Sequence, residues 1–247
     1  MRIKKMMIAA LLLVAVANGP SHFAYAENTH QLDDYSGQVG SAPIAMTLVF
    51  SGDKIAERAH YYYRKYLQDI PLTGTKGREL RLTEPGGGLF VLHYIDSNNK
   101  VVTAEQSIGL AGTWSSNNQV EPVKLFAEGS GIYVVGHRYA EITHKTDDQF
   151  EVPIKGFYNA VLARKPAVAT QFVSFPLRVN TTAGKYIMVH NSDELKQKWD
   201  HIFSPQWLKA LAASSPHDLP VIQKMAMIGA GLAFFNEKGL AVVNTTP

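Results

Sequence analysis

The chain is expected to be an α+β protein: an N-terminal antiparallel β-meander or partial barrel, followed by a domain with helices on a curved antiparallel sheet. Three observations lead there. Ile44, Met46, Leu48 and Phe50 alternate with Ala45, Thr47 and Val49 and stop at Ser51-Gly52-Asp53, which marks a strand running into a turn. Short apolar runs and turn clusters then repeat to about Thr143 with no helical period among them. From Ile154 the period changes: Ile154, Phe157, Tyr158, Val161 and Leu162 stand at i, i+3, i+4, i+7 and i+8, so one face of a helix is apolar.

Taken in order, the elements begin with an export signal. Arg2, Lys4 and Lys5 precede the apolar run Met6–Val16, and Ala24-Tyr25-Ala26 precedes Glu27. This is the layout of a cleavable secretory signal over residues 1–26. The apolar run is short for a bilayer span, which needs about 20 residues. Residues 27–144 form the β-rich domain. Its strands are expected at Ala59–Tyr66, Asp69–Leu72, Glu79–Thr83, Gly88–Ile95, Ser107–Trp114, Pro122–Phe126 and Ile132–Thr143, separated by Gly- and Asn-rich turns. Residues 145–247 form the second domain. Pro153 suits the first turn of its first helix, which puts the start near Val152, with Asp148 as the earlier alternative. Lys165-Pro166 closes that helix. Strands follow at Gln171–Val179 and Lys185–His190. Asn191 caps a helix to Phe203, with Glu194 at the third helical position. Ser204-Pro205 starts another, and Val221–Ile228, Gly231–Asn236 and Leu240–Thr245 close the chain as strands.

Composition narrows the function. Of the 24 basic residues three lie in the signal, so the remainder is formally neutral against 21 acidic residues. General attraction to nucleic acid or anionic membrane loses its support. The chain has no cysteine, which excludes disulfides, thiolate catalysis and cysteine zinc sites. The expected location is the periplasm or the medium, with no membrane anchor after cleavage.

Two resemblances add to this reading. Phe175-Pro176-Leu177-x-Val179-Asn180, Asn191-Ser192-x-Glu194-Leu195, Trp199-Asp200-x-Ile202-Phe203 and Met227-Ile228-Gly229-x-Gly231-Leu232-Ala233-Phe234-Phe235 resemble the cone-shaped SnoaL- and ketosteroid-isomerase-like α+β fold over roughly Asp147–Thr245. The resemblance rests on core and turn positions, and it implies a fold that hosts enzymes, carriers and interaction modules alike. Tyr35-Ser36-Gly37-x-Val39-Gly40, Tyr61-Tyr62-Tyr63-x-Lys65, Ile70-x-Leu72-x-Gly74 and Gly112-Thr113-Trp114 resemble a β-rich domain of uncharacterised secreted bacterial proteins, which implies no activity.

The chemistry-bearing residues are sparse. Tyr158, His190, Asp200 and His201 lie near elements that could line a cone and are the ligand-binding candidates. Asp200 and His201 are adjacent on a helix, so their side chains diverge by about 100°. Among nine histidines there is no HExxH and no close pair, so no metal site and no cofactor is expected. No G-x-S-x-G elbow occurs. On a strand, Tyr61 and Tyr63 face one way, and Tyr62, Arg64 and Tyr66 the other. The second set is expected to form an exposed Tyr/Arg surface for a protein or glycan of the cell envelope. The leading expectation is a non-enzymatic exported binding protein, its specific version one that inhibits or neutralises an envelope-acting protein. An isomerase- or dehydratase-type site in a hollow cone is the alternative, and an architectural envelope component is the third reading.

Overall fold

The computed structural model describes residues 29–181 and 184–246; the expected signal, residues 1–26, lies outside them. The α+β expectation does not hold. Strands account for 45% of the structure and helices for 21%, and the architecture is a closed eight-stranded antiparallel barrel with a second sheet. Closure comes from β1 (Thr29–Val39), which pairs with β2 (Ala42–Ser51) on one side and β10 (Gln119–Val134) on the other. Around the ring from β10 stand β9 (Gly109–Ser116), β8 (Leu89–Ile95), β7 (Leu80–Thr83), β6 (Thr73–Lys76) and β3 (Lys54–Ile55), which returns to β2. Local pattern falls short here because of the length of β1 and β10. The first begins six residues before Tyr35, and the second runs through Glu128–Gly131 as one strand where turn-like composition suggested a break. Closing the ring leaves neither β1 nor β10 as an edge of the sheet.

The barrel is filled from the predicted alternation. Ile44, Met46, Leu48 and Phe50 point inward and are buried with Leu80, Leu82, Phe90, Leu92, Leu110 and Leu125. Gly112 sits where β8 crosses closely: a Cβ there would lie 2.0 Å from the carbonyl oxygen of Val91. Gly112→Ala is therefore expected to lower stability by roughly 1–3 kcal/mol, the cost of overpacking a fixed backbone. An unchanged urea midpoint would show that β8 and β9 can separate freely.

The residues facing out of β2 matter more for function. β2 pairs with β4 (His60–Tyr63), which pairs with the short β5 (Ile70–Pro71). The registers place Asp34 opposite Thr47 and Thr47 opposite His60; two residues along, Ser36 lies opposite Ala45 and Ala45 opposite Tyr62. Two rows of side chains thus cross three strands on the outer face of the barrel.

The rest of the chain covers that face. The segment after β10, expected to be strand, is a run of turns through Ile142. Helix α1 (Asp147–Leu162) starts earlier than Pro153 suggests, because Thr146 and Gln149 form a capping box. The second sheet has the order β12 (Tyr186–Val189), β11 (Val173–Asn180), β16 (Gly239–Asn244), β15 (Ala233–Asn236), β14 (Met225–Ile228) and β13 (Val221–Ile222), with β11 and β16 parallel. Between the first two and the last four of these strands in the sequence come α3 (Ser192–Gln197), α4 (Trp199–Ile202) and α5 (Pro205–Ala212); α2 (Pro166–Ala169) follows α1. The single helix expected from Asn191 breaks at Lys198. Trp199, Phe203 and Trp207 stack in series, and Phe157 packs on both Phe203 and Phe235. These rings occupy the interior that a hollow cone would need for a ligand.

Candidate functional site

Four residues from distant parts of the sequence converge where the second half meets the barrel. His60 opens β4 and projects from the outer face in the Asp34–Thr47–His60 row. Asp69 immediately precedes β5. His217 and Asp218 belong to the loop between α5 and β13. One ligand-type atom from each lies within 4.8 Å of all the others. His60 Nε2 is 2.7 Å from Asp218 Oδ2 and 3.5 Å from Asp69 Oδ1; His217 Nε2 is 2.7 Å from Asp69 Oδ1 and 3.9 Å from Asp218 Oδ2.

Local structure explains how adjacent His217 and Asp218 reach the same space. Asp218 has φ +54°, a left-handed conformation that costs a non-glycine residue energy and persists where surroundings hold it. They do so here. Asp218 N donates to Glu151 Oε1 at 2.8 Å, Leu219 N donates to the Tyr139 hydroxyl at 2.9 Å, and the Tyr62 hydroxyl donates to the His217 carbonyl at 3.1 Å. The loop is thereby fixed to α1, to the turn after β10 and to β4 together.

The atoms behind the cluster decide its chemistry. His60 Nδ1 is 2.7 Å from the Arg58 carbonyl. A carbonyl only accepts, so Nδ1 carries a proton; Nε2, 2.7 Å from the Asp218 carboxylate, donates a second, so the ring stands as an imidazolium, and only loss of the Nε2 proton would turn that lone pair to a metal. His217 Nδ1 is hydrogen-bonded to Glu151 Oε2, with the same consequence. Glu151 is 1% exposed and takes further bonds from the Tyr139 hydroxyl at 2.6 Å and Lys155 Nζ at 3.0 Å. Arg138 grips Asp34 through two nitrogens at 2.7 and 3.0 Å, and its Nε lies 3.4 Å from Asp218 Oδ1. Thr47 Oγ1 donates to Asp34 Oδ1 at 2.6 Å.

Electrostatics follow from these contacts. Burial opposes the charge of His60, but Asp218 and Asp69 overcome it and raise its pKa to about 9. Burial likewise opposes His217, and hydrogen bonds to Asp69 and Glu151 with the charge of Asp218 raise it to about 10. Burial pushes Asp218 up, yet Arg138 and the two histidines hold it well below the usual carboxylate range. Glu151 is lowered too, with His217 outweighing burial. Four carboxylates, Asp34, Asp69, Glu151 and Asp218, face two permanent cations, Arg138 and Lys155. Two further positive charges balance the set, and either two imidazolium ions or one divalent cation supply them.

The cluster borders a cavity of about 160 Å³, into which Asp69, 44% exposed, opens. A second cavity, about 570 Å³, shares Thr47, His217 and Asp218 with the first.

The candidates read from the sequence separate in space. Of the ligand-binding set, Tyr158 alone approaches the site, its hydroxyl donating to the Ser214 carbonyl at 3.4 Å. His190, just after β12, and Asp200 and His201, on α4, are exposed and line neither cavity. Of the surface set, Tyr62 is 1% exposed and Arg64 donates to the Ala213 carbonyl at 3.0 Å; Tyr66 remains 66% exposed. β4 does turn this face away from the barrel, but the chain's own loop 213–217 covers it. His60, Asp69, His217, Asp218, Glu151 and Arg138 were not singled out from the sequence. His60 left a trace there, since it shares the Tyr62 and Arg64 face by period two, and so did Glu151, three residues before Ile154 on the apolar stripe of α1. No protein-family model, curated protein sequence or solved structure matches the chain.

Proposed function

We propose that this protein is an exported binding protein that holds one divalent transition-metal ion, zinc foremost, between His60, Asp69, His217 and Asp218. The observation that carries the reading is the paired orientation of the imidazoles. Each has Nδ1 held by an oxygen acceptor and turns Nε2 toward the same two carboxylates. Such outer hydrogen bonds set the tautomer and raise the basicity of metal-ligating histidines. The dimensions agree. Ligand atoms about 2.0–2.1 Å from a tetrahedral zinc stand roughly 3.3–3.4 Å apart, and the four histidine–carboxylate separations run from 2.7 to 3.9 Å. The charge agrees too: with neutral imidazoles the set lacks two positive charges.

Two imidazoles and two carboxylates form a borderline-to-hard donor set that suits zinc above the softer ions. Four protein ligands fill a tetrahedral shell, the pattern of closed rather than catalytic sites. That favours binding over catalysis, and Asp69 supplies the entry side. Because the ligands come from β4, the start of β5 and the α5–β13 loop, the ion would tie the barrel to the second half.

Calorimetric titration of the chelator-treated protein with Zn²⁺ tests this. One ion per chain is expected, with a raised melting temperature. In the His60→Ala/His217→Ala variant uptake is expected to disappear while the circular dichroism spectrum stays unchanged. Absence of saturable uptake by the folded wild type would reduce the cluster to a buried ion-pair staple.

A further inference from the structure

The larger cavity carries two charges that the fold leaves unbalanced, at opposite ends of an apolar wall. At one end is Arg64. It donates to the Ala213 carbonyl at the end of α5, its Nε is buried without a hydrogen-bond partner, and no carboxylate pairs with it among the described residues. At the other end is Glu128. The β1–β10 register shifts between Asp34 and Tyr35, pairing Asp34 with Gly129 and Tyr35 with Ala127. Glu128 is therefore the extra residue of a bulge, a device that re-aims a side chain. It accepts from Ser36 Oγ and pairs with no cation among the described residues. Between the two ends the wall includes Ala45, Pro220, Met227 and Ala230. The other carboxylates on this wall, Asp34 and Asp218, are already held by Arg138.

Arg64 and Glu128 stand on the strands β4, at its end, and β10, with β1 and β2 between them. Three strand steps of about 4.8 Å, with an offset of about three to four residues along the strands, separate their backbones by roughly 18 Å. A ligand that meets both side chains needs separated charges and an apolar body. A tripeptide, extended at about 3.3–3.6 Å per residue, spans roughly 10 Å, which leaves room for the two side chains to reach in. Ser36, Ser214 and Ser215 line the same cavity; their hydroxyl protons go to Glu128, the Ala210 carbonyl and the His217 carbonyl, so toward peptide groups they act only as acceptors.

We infer that the 570 Å³ cavity binds a short apolar peptide of about three residues, its terminal carboxylate on Arg64 and its terminal ammonium on Glu128. The inference does not require the metal. It shares only a wall with that site, through Thr47, His217 and Asp218.

Calorimetry with the tripeptide Leu-Ala-Leu, its C-terminal amide, its N-acetyl form and free leucine tests it. The unmodified tripeptide is expected to bind one per chain. Amidation and acetylation are each expected to weaken it at least tenfold. In Arg64→Met the penalty for amidation disappears while that for acetylation remains; in Glu128→Gln the pattern reverses. Glu128 is exposed, so the second variant keeps the test sound if loss of the Arg64–Ala213 bond disturbs folding. Equal binding of all three peptides, or tighter binding of leucine than of the tripeptide, overturns the inference. So does the absence of saturable heat with the unmodified tripeptide. Zinc uptake without peptide binding would refute this inference alone, and peptide binding without zinc uptake would leave it standing.

Discussion

Glu151→Ala is expected to cost about 3–5 kcal/mol of stability, the range for removing one partner from a buried charge network. Four groups lose their acceptor at once: His217 Nδ1, the Tyr139 hydroxyl, the Asp218 amide and Lys155 Nζ. Tyr139 is fully buried and His217 is 7% exposed, so water does not replace the carboxylate, and each orphaned donor keeps its desolvation cost. The Asp218 amide bond also holds that residue in its left-handed conformation, so the loop should relax with it. Glu151→Gln keeps a side-chain acceptor but loses the charge facing His217 and Lys155, and should fall between wild type and alanine. As an outer-shell change it should also weaken zinc binding about 10–100-fold. Urea denaturation followed by tryptophan fluorescence measures the first effect and calorimetry the second. A loss below about 1 kcal/mol for Glu151→Ala would mean that the network is not what holds the loop against α1.

The second large effect is on pH dependence. Without metal, stability is expected to fall by a few kcal/mol as pH rises through about 9 and 10. Both histidines have folded values raised above 6.5, to about 9 and about 10. The folded state therefore holds more protons than the unfolded chain above pH 6.5. Their contribution is complete below that value and is lost as pH climbs through the folded values. The carboxylates act with the opposite sign: Asp218 and Glu151 are lowered, so their contribution is complete above the ordinary carboxylate range and is lost in acid. Every group facing the imidazoles takes part. Asp69, Asp218 and Glu151 lie against them, and Arg138 and Lys155 stand behind the last two. Deprotonation leaves this set with excess negative charge. An equivalent of Zn²⁺ should remove the alkaline loss, and near neutral pH its binding should release about two protons, seen as a buffer-dependent binding heat. A urea midpoint that rises between about pH 8 and 10.5 in the metal-free protein would contradict the charge assignment.

The legibility of this chain differed by element. Capping and breaker chemistry placed α5 at Ser204-Pro205 and the closing strands to within a few residues, since those signals act within a turn of the chain. The alternation in β2 located the barrel interior. Helix α1 shows where local evidence misled. Pro153 drew the start to Val152, while the Thr146–Gln149 capping box begins the helix at Asp147 and carries Pro153 within it. With the earlier start, Glu151 falls three residues before Ile154 on the apolar stripe. A carboxylate there is the sequence signal, beside His60 on the outward face of β4, that could have led to the buried network. His217 and Asp218 had no such signal: in Ser214–Pro220 they read as ordinary loop residues, because a loop has no period.

By itself the sequence determined the strand-rich first half, the inward and outward faces of β2 and β4, the absence of thiol chemistry and the helix caps at Asn191 and Ser204. Each of these depends on neighbours within a few positions, through backbone geometry or the identity of a side chain. Tertiary structure alone decided that β1 meets β10 to close the barrel, that the aromatic rings fill the second core, and that loop 213–218 lies over β4. Those contacts join residues up to 171 positions apart, as Thr47 and Asp218 are, and nothing in the local spacing of either partner specifies the other. The outward face of β4, which in sequence reads as a surface for another molecule, is instead where the chain meets itself, and the four candidate ligands come together in that contact.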